Sequence, residues 1–270
     1  MKQRFRATPN VPMISVHRGL WGPAPENSLA AIRAAARFDV VEIDLRLDAD
    51  GQPYLMHDST LDRMTGKDIS SNGPEVAVLE GLALRSGDGG DTAEVTEETV
   101  PTLDAAFQAL ASTRAIFDLD VKRAEDISAV ADFVAKTGAN QLGTLKVDVA
   151  NQADLDALLM LEKTHDVMVM AKFKLRSVRD LALLSAMRAA GVAAVELWFD
   201  DFNLLRRAAI CAGEGMRLTT YTLDPVHCCG MSDARGLRDP AGVWGQLIGM
   251  GIGLIMTDRA PALSRYLTTR

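Results

Sequence analysis

The sequence predicts a (β/α)8 barrel, and three observations lead to that fold class. Short strand-forming runs alternate with longer amphipathic segments almost throughout the 270 residues. Eight such units fit into about 250 residues, the usual size of this barrel. No glycine-rich turn follows the first strand run, where a dinucleotide-binding open sheet needs one, so a doubly wound sheet is the weaker alternative. We therefore expect residues 1–270 to form one barrel domain.

The elements follow one another in a regular order. The strand runs are MISVH (13–17), VVEIDLRL (40–47), AIFDLDVK (115–122), GTLKVDV (143–149), DVMVMAK (166–172), AAVEL (193–197), RLTTYTL (217–223) and GLIMT (253–257). Apolar residues at helical spacing lie between these runs, and Pro101 and Asn151 are predicted helix starts. Because strands that alternate with helices are joined by right-handed crossovers, the strands should be parallel.

One long connection interrupts this rhythm. DADGQ (48–52) is a turn signal before a ninth extended run, PYLMH (53–57), so the second strand is expected to fold back as a hairpin. Residues 58–100 contain few core-forming runs, and we expect a small insertion there, such as a lid over one end of the barrel. GDGGD (87–91) lacks a flanking strand and helix, which indicates a flexible loop and not a phosphate-binding loop.

Charge and composition exclude several classes of protein. With 29 basic and 36 acidic residues the net charge is −7, so nucleic acid is not an expected partner. No secretory signal and no run long enough for a membrane span is found. The three cysteines, Cys211, Cys228 and Cys229, fit neither a disulfide framework nor a metal motif. Reduced thiols and a cytoplasmic location are therefore expected.

Polar side chains gather where the predicted strands end, which is the catalytic face of a barrel. In chain order they are His17 and Arg18, Glu42 and Asp44, His57 at the end of the hairpin, Asp118, Asp120 and Lys122, Lys146, Lys172, Glu196 and Tyr221. Any one of them could be a helix cap or half of an ion pair, but the collection predicts a site. His165 and His227 lie in loops and are interpreted as ordinary polar residues.

Three of these acids predict a metal centre. Glu42, Asp44 and Asp120 would repel one another inside a barrel unless a cation neutralised them. Carboxylate oxygens suit Mg²⁺ or Ca²⁺ better than Zn²⁺. The sequence therefore predicts a divalent cation, either Mg²⁺ or Ca²⁺, as the cofactor.

The cationic residues predict phosphate chemistry around that ion. His17 and His57 titrate near neutral pH, so one can remove a proton while the other donates one. Arg18 offers a planar fork to an oxyanion, and Lys122 lies nearby in the predicted site. Together with a metal that polarises a phosphoryl group, these residues indicate a phosphodiesterase.

The motifs that contain these residues resemble one known family. They are VHRG (16–19), APENSLAAI (24–32), the stretch from FDVVEIDLRL to HDSTLDRMTG (38–66), VPTLDAAF (100–107), FDLDVK (117–122) and IGLIMTDRAP (252–261). In this order they are similar to the glycerophosphodiester phosphodiesterase family, whose signature is a His–Arg, a Glu–Asn, a Glu-x-Asp and a His–Asp before a small insertion. The resemblance is dense over 13–122 and returns at 217–261.

The resemblance implies a barrel enzyme that cleaves a small-molecule glycerol phosphodiester, with a divalent metal, to glycerol 3-phosphate and an alcohol. It implies that His17 and His57 are the acid/base pair, that Glu42 and Asp44 bind the metal, and that Arg18 contacts phosphate. In this family the hydroxyl beside the ester is thought to attack phosphorus first, so that a cyclic phosphate precedes hydrolysis.

Two neighbouring residues are assigned supporting roles. The resemblance implies that Glu26 and Asn27 brace His17 and Arg18, or the metal shell. For Glu26 an alternative stays open, in which a first-turn acid complements the dipole of the following helix.

The chain departs from the family at the third ligand. The family has a Glu-x-Lys pair where this chain has Asp120 and Lys122. An acid and a lysine are also paired there in the related spider-venom sphingomyelinase D group. Asp118 lies on the same strand face and is the rival ligand, but alignment with Lys122 favours Asp120.

Further departures concern the substrate. Lys146 replaces the family's Ser–Phe strand end, and with Lys122 and Lys172 it predicts a substrate with negative charge beyond one diester. The alternative is that Lys146 and Lys172 pair with Glu196 or other acids. Tyr221 stands where the family has an aromatic wall. Trp198 could complete that wall or pack against a helix.

Three functions of different classes are compatible with these features. The first is a metal-dependent phosphodiesterase. The second is a phospholipase D-like lyase that stops at the cyclic phosphate, and the third is a barrel without catalytic activity. Retention of both histidines and of an acid at every ligand position favours the first.

Overall fold

The computed structural model describes residues 1–6 and 11–269 of the chain. The strands are β1 (Met13–Val16), β2 (Val40–Leu47), β3 (Pro53–Leu55), β4 (Ala83–Arg85), β5 (Val95–Thr99), β6 (Ile116–Val121), β7 (Gly143–Asp148), β8 (Met168–Leu175), β9 (Ala194–Phe199), β10 (Arg217–Tyr221) and β11 (Ile252–Thr257). The helices are α1 (Lys2–Arg6), α2 (Leu29–Ala35), α3 (Asp62–Thr65), α4 (Val76–Leu79), α5 (Leu103–Leu110), α6 (Ile127–Lys136), α7 (Gln152–His165), α8 (Asp180–Ala189), α9 (Phe202–Ala212), α10 (Asp233–Arg238), α11 (Gln246–Gly249) and α12 (Ala260–Thr269).

The main sheet has the strand order of the predicted (β/α)8 barrel. Its hydrogen bonds run in the order β1–β11–β10–β9–β8–β7–β6–β2–β3, and β1 also pairs with β2. Strands that follow each other in the chain with a helix between them are neighbours in the sheet, as right-handed crossovers require. The ninth strand, β3, pairs antiparallel with β2 and places Leu55 opposite Leu45, which confirms the predicted hairpin.

The element boundaries follow the sequence signals with a few differences. The start of α7 is confirmed, since Asn151 accepts a hydrogen bond from Asp154 N and forms a complete capping box with it. Pro101 was expected in a first helical turn, but α5 begins later. Its N-cap is Thr102, whose side chain accepts a hydrogen bond from Ala105 N. Pro101 therefore lies just before the N-cap and outside the helix.

The chain divides into two compact units, Val16–Leu145 and Met1–Ser15 with Lys146–Arg270. In the first unit, β2 is buried on both faces. Val41, Ile43 and Leu45 are fully buried, and so are the alternating acids Glu42 and Asp44. Burial on both faces is typical of a parallel barrel strand, and it places two carboxylates in a region that excludes water.

The insertion within this unit packs with the end of the hairpin around a small apolar cluster. It contains α3, α4 and the antiparallel hairpin of β4 and β5, in which Ala83 lies opposite Thr99. The cluster of apolar side chains is Tyr54, Met56, Leu61, Met64, Leu79, Leu84 and Val100. Each short element contributes only one or two of these residues, so no periodic apolar run in the sequence predicts the cluster.

The second unit contains β8 to β11 and the N-terminal helix α1. Buried Arg217 donates hydrogen bonds to the carbonyls of Phe5 and Val11, which fastens the N-terminal segment to β10. The cysteines at 211, 228 and 229 are free thiols. Within the described parts of the chain, no helix combines the length and apolar character needed to cross a bilayer.

Candidate active site

Three carboxylates from β2 and β6 converge in the first unit. These strands are parallel and in register, with Glu42 opposite Asp118 and Asp44 opposite Asp120. Glu42, Asp44 and Asp120 each place a ligand oxygen within 4.8 Å of the others. Asp118 lies outside this group and is 3.4 Å from the Thr144 hydroxyl. Hard oxygen ligands so close together could hold a divalent cation.

Lysine and arginine form ion pairs with two of these acids. The Lys122 ammonium is 2.6 Å from Asp120 Oδ2 and also pairs with Asp44 Oδ1, while Arg18 Nε lies 3.0 Å from Asp44 Oδ2. Burial opposes ionisation of Asp44, but the charges of Lys122 and Arg18 outweigh it and hold its pKa well below the usual range. The Asp44 carboxylate is therefore ionised at neutral pH.

The donor set fits a cation. Asp44 Oδ1 is buried and forms an ion pair with Lys122, but it accepts no hydrogen bond of regular geometry from the described residues. A carboxylate oxygen has two lone pairs, so beside this ion pair it keeps coordination capacity for a ligand such as a metal ion. Oxygen donors alone, without thiolate or imidazole in the group, match Mg²⁺ or Ca²⁺ chemistry.

The loop between β1 and α2 folds tightly against this group. Asn27 donates from Nδ2 to Asp44 Oδ2 at 2.8 Å and accepts from Asp44 N at 3.1 Å. Arg18 N donates to Glu42 Oε2 at 3.0 Å. Arg18 and Asn27 both have positive φ, 54° and 55°, which costs backbone energy in non-glycine residues. Asn27 N also donates to the Arg18 carbonyl at 2.9 Å, so the loop holds both residues against the acids.

Glu26 holds two arginines. Its Oε2 accepts from Arg18 Nη1 at 2.9 Å, and its Oε1 accepts from Arg63 Nη2 at 2.6 Å. The helix α2 begins only after its N-cap Ser28, so Glu26 is not in the first helical turn. The contacts therefore favour the bracing role over the helix-dipole alternative. Burial disfavours the Arg18 charge, but Asp44 and Glu26 outweigh it and raise the pKa of Arg18.

His57 is fixed at its ring and at its main chain. The ring Nδ1 is 2.7 Å from Asp58 Oδ1, and the His57 carbonyl accepts from Arg46 Nη2 at 2.7 Å. Burial lowers the pKa of His57 and outweighs the opposing charge of Asp44, so the imidazole is neutral at neutral pH. His17 also acts electrostatically on Asp44, so both histidines lie near the same carboxylate.

Four further predicted residues belong to the second unit. Lys146 is buried and lies 2.8 Å from Glu196, which confirms the alternative that these two residues pair. Lys172 approaches the exposed Asp148 at 3.6 Å. Burial raises the pKa of Tyr221, and the charges of Glu196 and Lys146 act on it as well. Half-buried Trp198 lies opposite Lys174 in the strand register.

Three arginine and aspartate residues of the site were not singled out from the sequence. Asp58 was noted only as part of the His–Asp signature, while Arg46 and Arg63 had no assigned role. Arg46 follows Glu42 and Asp44 at the same two-residue spacing, which is a signal that could have found it. No spacing rule points to Arg63, because it lies in the insertion.

Comparison with known proteins gives one consistent family. Residues 17–260 match the sequence pattern of the Glycerophosphoryl diester phosphodiesterase family. A segment of 124 residues is 39% identical to Glycerophosphodiester phosphodiesterase 1 of Rattus norvegicus. That segment spans 43% of this chain but only 35% of the rat protein.

Solved structures show the same fold. A glycerophosphoryl diester phosphodiesterase of Parabacteroides distasonis superposes with a TM-score of 0.77 at 20% identity, covering 99% of this chain and 90% of that one. A phosphodiesterase of Oleispira antarctica, solved with the product sn-glycerol-3-phosphate, gives 0.67 at 20% identity, covering 96% and 98%. At such identities the likeness establishes the barrel fold alone.

Proposed function

Because the chain belongs to the glycerophosphoryl diester phosphodiesterase family, we propose that it hydrolyses a small glycerophosphodiester to glycerol 3-phosphate and an alcohol. The observation that carries the proposal is the grouping of Glu42, Asp44 and Asp120 oxygens within 4.8 Å of one another in a member of this family. The product bound to the Oleispira antarctica phosphodiesterase supports the same substrate class.

Glu42, Asp44 and Asp120 are the proposed ligands of Mg²⁺ or Ca²⁺. When bound, the cation would act as a Lewis acid on the phosphoryl oxygens. Arg18 and Lys122 are proposed to contact the same phosphate. Both keep their charge, since burial is outweighed at each by the nearby carboxylates and the pKa of each is raised.

The two histidines are proposed to move the protons. Asp58 holds Nδ1 of neutral His57, which leaves Nε2 to accept the proton of the attacking hydroxyl. His17 would donate a proton to the departing alcohol oxygen. If the attacking group is the neighbouring glycerol hydroxyl, the P–O bond to the alcohol breaks as a cyclic phosphate forms, and water then opens that ring.

The test is phosphorus NMR of glycerophosphodiesters incubated with the protein, with Mg²⁺ or Ca²⁺ and with excess chelator. We expect glycerol 3-phosphate only with metal. His17→Ala should abolish turnover, whereas the matched control His165→Ala, at the end of α7, should retain it. A cyclic phosphate as the final product would favour the lyase. Inactivity of the unaltered protein on every diester would favour a barrel without catalytic activity.

A further inference from the structure

Arg63 bridges two carboxylates of the site. Its Nε lies 2.6 Å from Asp58 Oδ2 and its Nη2 lies 3.1 Å from Asp58 Oδ1, a two-point contact. The same Nη2 donates to Glu26 Oε1 at 2.6 Å. The N–H donors of the planar guanidinium point in fixed directions, so one arginine can donate to both carboxylates at once.

Each bridged carboxylate holds one cationic or proton-transferring residue of the proposed site. Asp58 is 2.7 Å from the ring Nδ1 of His57, and Glu26 accepts from Arg18 at 2.9 Å. Arg63 therefore stands at the centre of one continuous path of contacts from His57 to Arg18. A shift of its guanidinium would change the orientation of both ends.

The insertion fixes Arg63 from its main chain. The Arg63 carbonyl accepts from Gly90 N at 2.8 Å, and a Cβ at Gly89, whose φ is +76°, would lie 2.4 Å from that oxygen. Nη1 also donates to the Asp88 carbonyl. The adjacent Met64 is buried in the insertion's apolar cluster. The glycine turn and this cluster therefore hold the arginine in one place.

The bridge is charged on both sides. Burial disfavours the Arg63 cation, but hydrogen bonds with Asp58 and Glu26 outweigh it and raise its pKa. At Asp58 burial is outweighed by Arg63 and His57, which lower the pKa to about 2. Charge-assisted hydrogen bonds of this kind are short and strongly directional.

We infer that Arg63 is a positioning residue of the proposed phosphodiesterase, orienting His57 through Asp58 and Arg18 through Glu26. The inference rests on the proposed function. It also assigns a role to the insertion, which supplies and supports this guanidinium. Arg63 acts through its two carboxylate partners and is not itself a catalytic residue.

The experiment compares Arg63→Lys, Arg63→Ala and the control Arg85→Ala in the full chain. Arg85 lies in the same insertion and pairs with the exposed Asp91 at 3.3 Å. We expect kcat of Arg63→Lys to fall about 100-fold, since a small misplacement of reacting groups costs that much and a single ammonium cannot reproduce the fork. Its Tm should stay near that of the unaltered protein.

Chemical rescue separates positioning from general loss of structure. Added methylguanidinium should restore part of the kcat of Arg63→Ala and should leave unchanged the kcat of Arg85→Ala, which we expect to match that of the unaltered protein. If the unaltered protein is active and Arg63→Lys keeps full kcat, or if methylguanidinium rescues nothing, the inference is wrong and the proposed function stands. Inactivity of the unaltered protein on every diester would overturn both.

Discussion

At the scale of single residues, Asp44 is the centre of the site. It is 1% exposed and contacts Arg18, Asn27 and Lys122. A buried carboxylate is tolerated only where cations and donors compensate its lost hydration, and removal of one partner leaves an uncompensated charge. Substitutions around Asp44 should therefore affect stability and ion binding together.

The first prediction distinguishes the two candidate third ligands. We expect excess Mg²⁺ or Ca²⁺ to stabilise the protein, by about 2.7 kcal/mol at a concentration of about 100 times Kd. Asp120→Asn should lose most of this gain in a thermal unfolding assay, because one oxygen of the group is replaced by an amide. Asp118→Asn should keep it. The reverse pattern would assign the ligand to Asp118.

The second prediction concerns the left-handed backbone at Asn27. Asn27→Ala should lower the free energy of unfolding by about 3 kcal/mol, because it removes two hydrogen bonds to Asp44 and puts alanine, which adopts the left-handed region less readily than asparagine, at φ 55°. Asn27→Gly loses the same hydrogen bonds, but glycine adopts a positive φ without strain. This variant should therefore be about 1 kcal/mol more stable than the alanine variant. Equal values in urea unfolding would show that the backbone carries no strain there.

The motifs predicted the group of acids but not its supporting contacts. The two-residue spacing of Glu42 and Asp44 places both on one face of β2. The parallel strand β6 is in register with β2 and brings Asp120 beside them. Arg63 could not be found in this way. Its partners, Asp58 and Glu26, lie 5 and 37 positions away, and its position depends on the packing of short, irregular segments.

At the scale of elements, a buried polar side chain connects the ends of two strands to a helix. Asp233, the first residue of α10, accepts from Thr222 after β10 and from Thr257 at the end of β11, each at 2.6 Å. The Asp258 amide donates to it at 2.8 Å. One buried carboxylate thus ties two strand ends to a helix.

The third prediction concerns how the contribution of Asp233 to the free energy of unfolding depends on pH. Burial raises the pKa of Asp233 to about 6, whereas an unfolded Asp titrates near about 3.9. Because the folded carboxyl binds its proton more tightly, its ionisation costs stability, and the loss grows as pH rises from 4.5 to 7. Linkage gives about 2 kcal/mol over this interval. The stability difference between the unaltered protein and Asp233→Asn should shift by that amount in urea unfolding. An equal difference at both pH values would contradict the prediction.

The strands were more predictable than the insertion. The β2 run was placed at 40–47, as found, because its apolar and acidic residues form one unbroken strand pattern. The run predicted at 166–172 is β8 at Met168–Leu175, since Phe173 and Leu175 continue the alternation past the lysines. The small apolar cluster that residues 58–100 form with Tyr54 and Met56 was missed, because its members are far apart in the sequence and come together only in the folded chain.

At the scale of the whole molecule, residues far apart in the chain are joined by a few buried polar contacts. In the second unit, Arg217 is 1% exposed and lies 212 positions from Phe5, to whose carbonyl it donates. It also donates to the carbonyls of Val11 and Gly253. The order of strands was predictable because it follows the order of the chain, but such distant contacts have no local sequence signal.

The fourth prediction tests this long-range fastening. Arg217→Met should lower the free energy of unfolding by about 3 kcal/mol, because three carbonyls, two of them in buried hydrogen bonds, lose a charged donor. It should also speed tryptic cleavage after Arg6, since Phe5 and Val11 lose their anchor. Arg206→Met removes an exposed arginine whose guanidinium donates to Asn203 at 3.3 Å within α9, and it should change neither quantity. Unchanged cleavage of Arg217→Met would show that the N-terminal segment is held by other contacts.

The glycine-rich turn at 86–90 has a consequence for protein engineering. Its Gly87 carbonyl accepts from Glu26 N at 2.8 Å, and its Gly90 amide donates to the Arg63 carbonyl. Shortening or rigidifying this turn to raise the Tm would move the backbone that positions the side chains of Glu26 and Arg63. A more thermostable variant obtained in that way should therefore have a lower kcat.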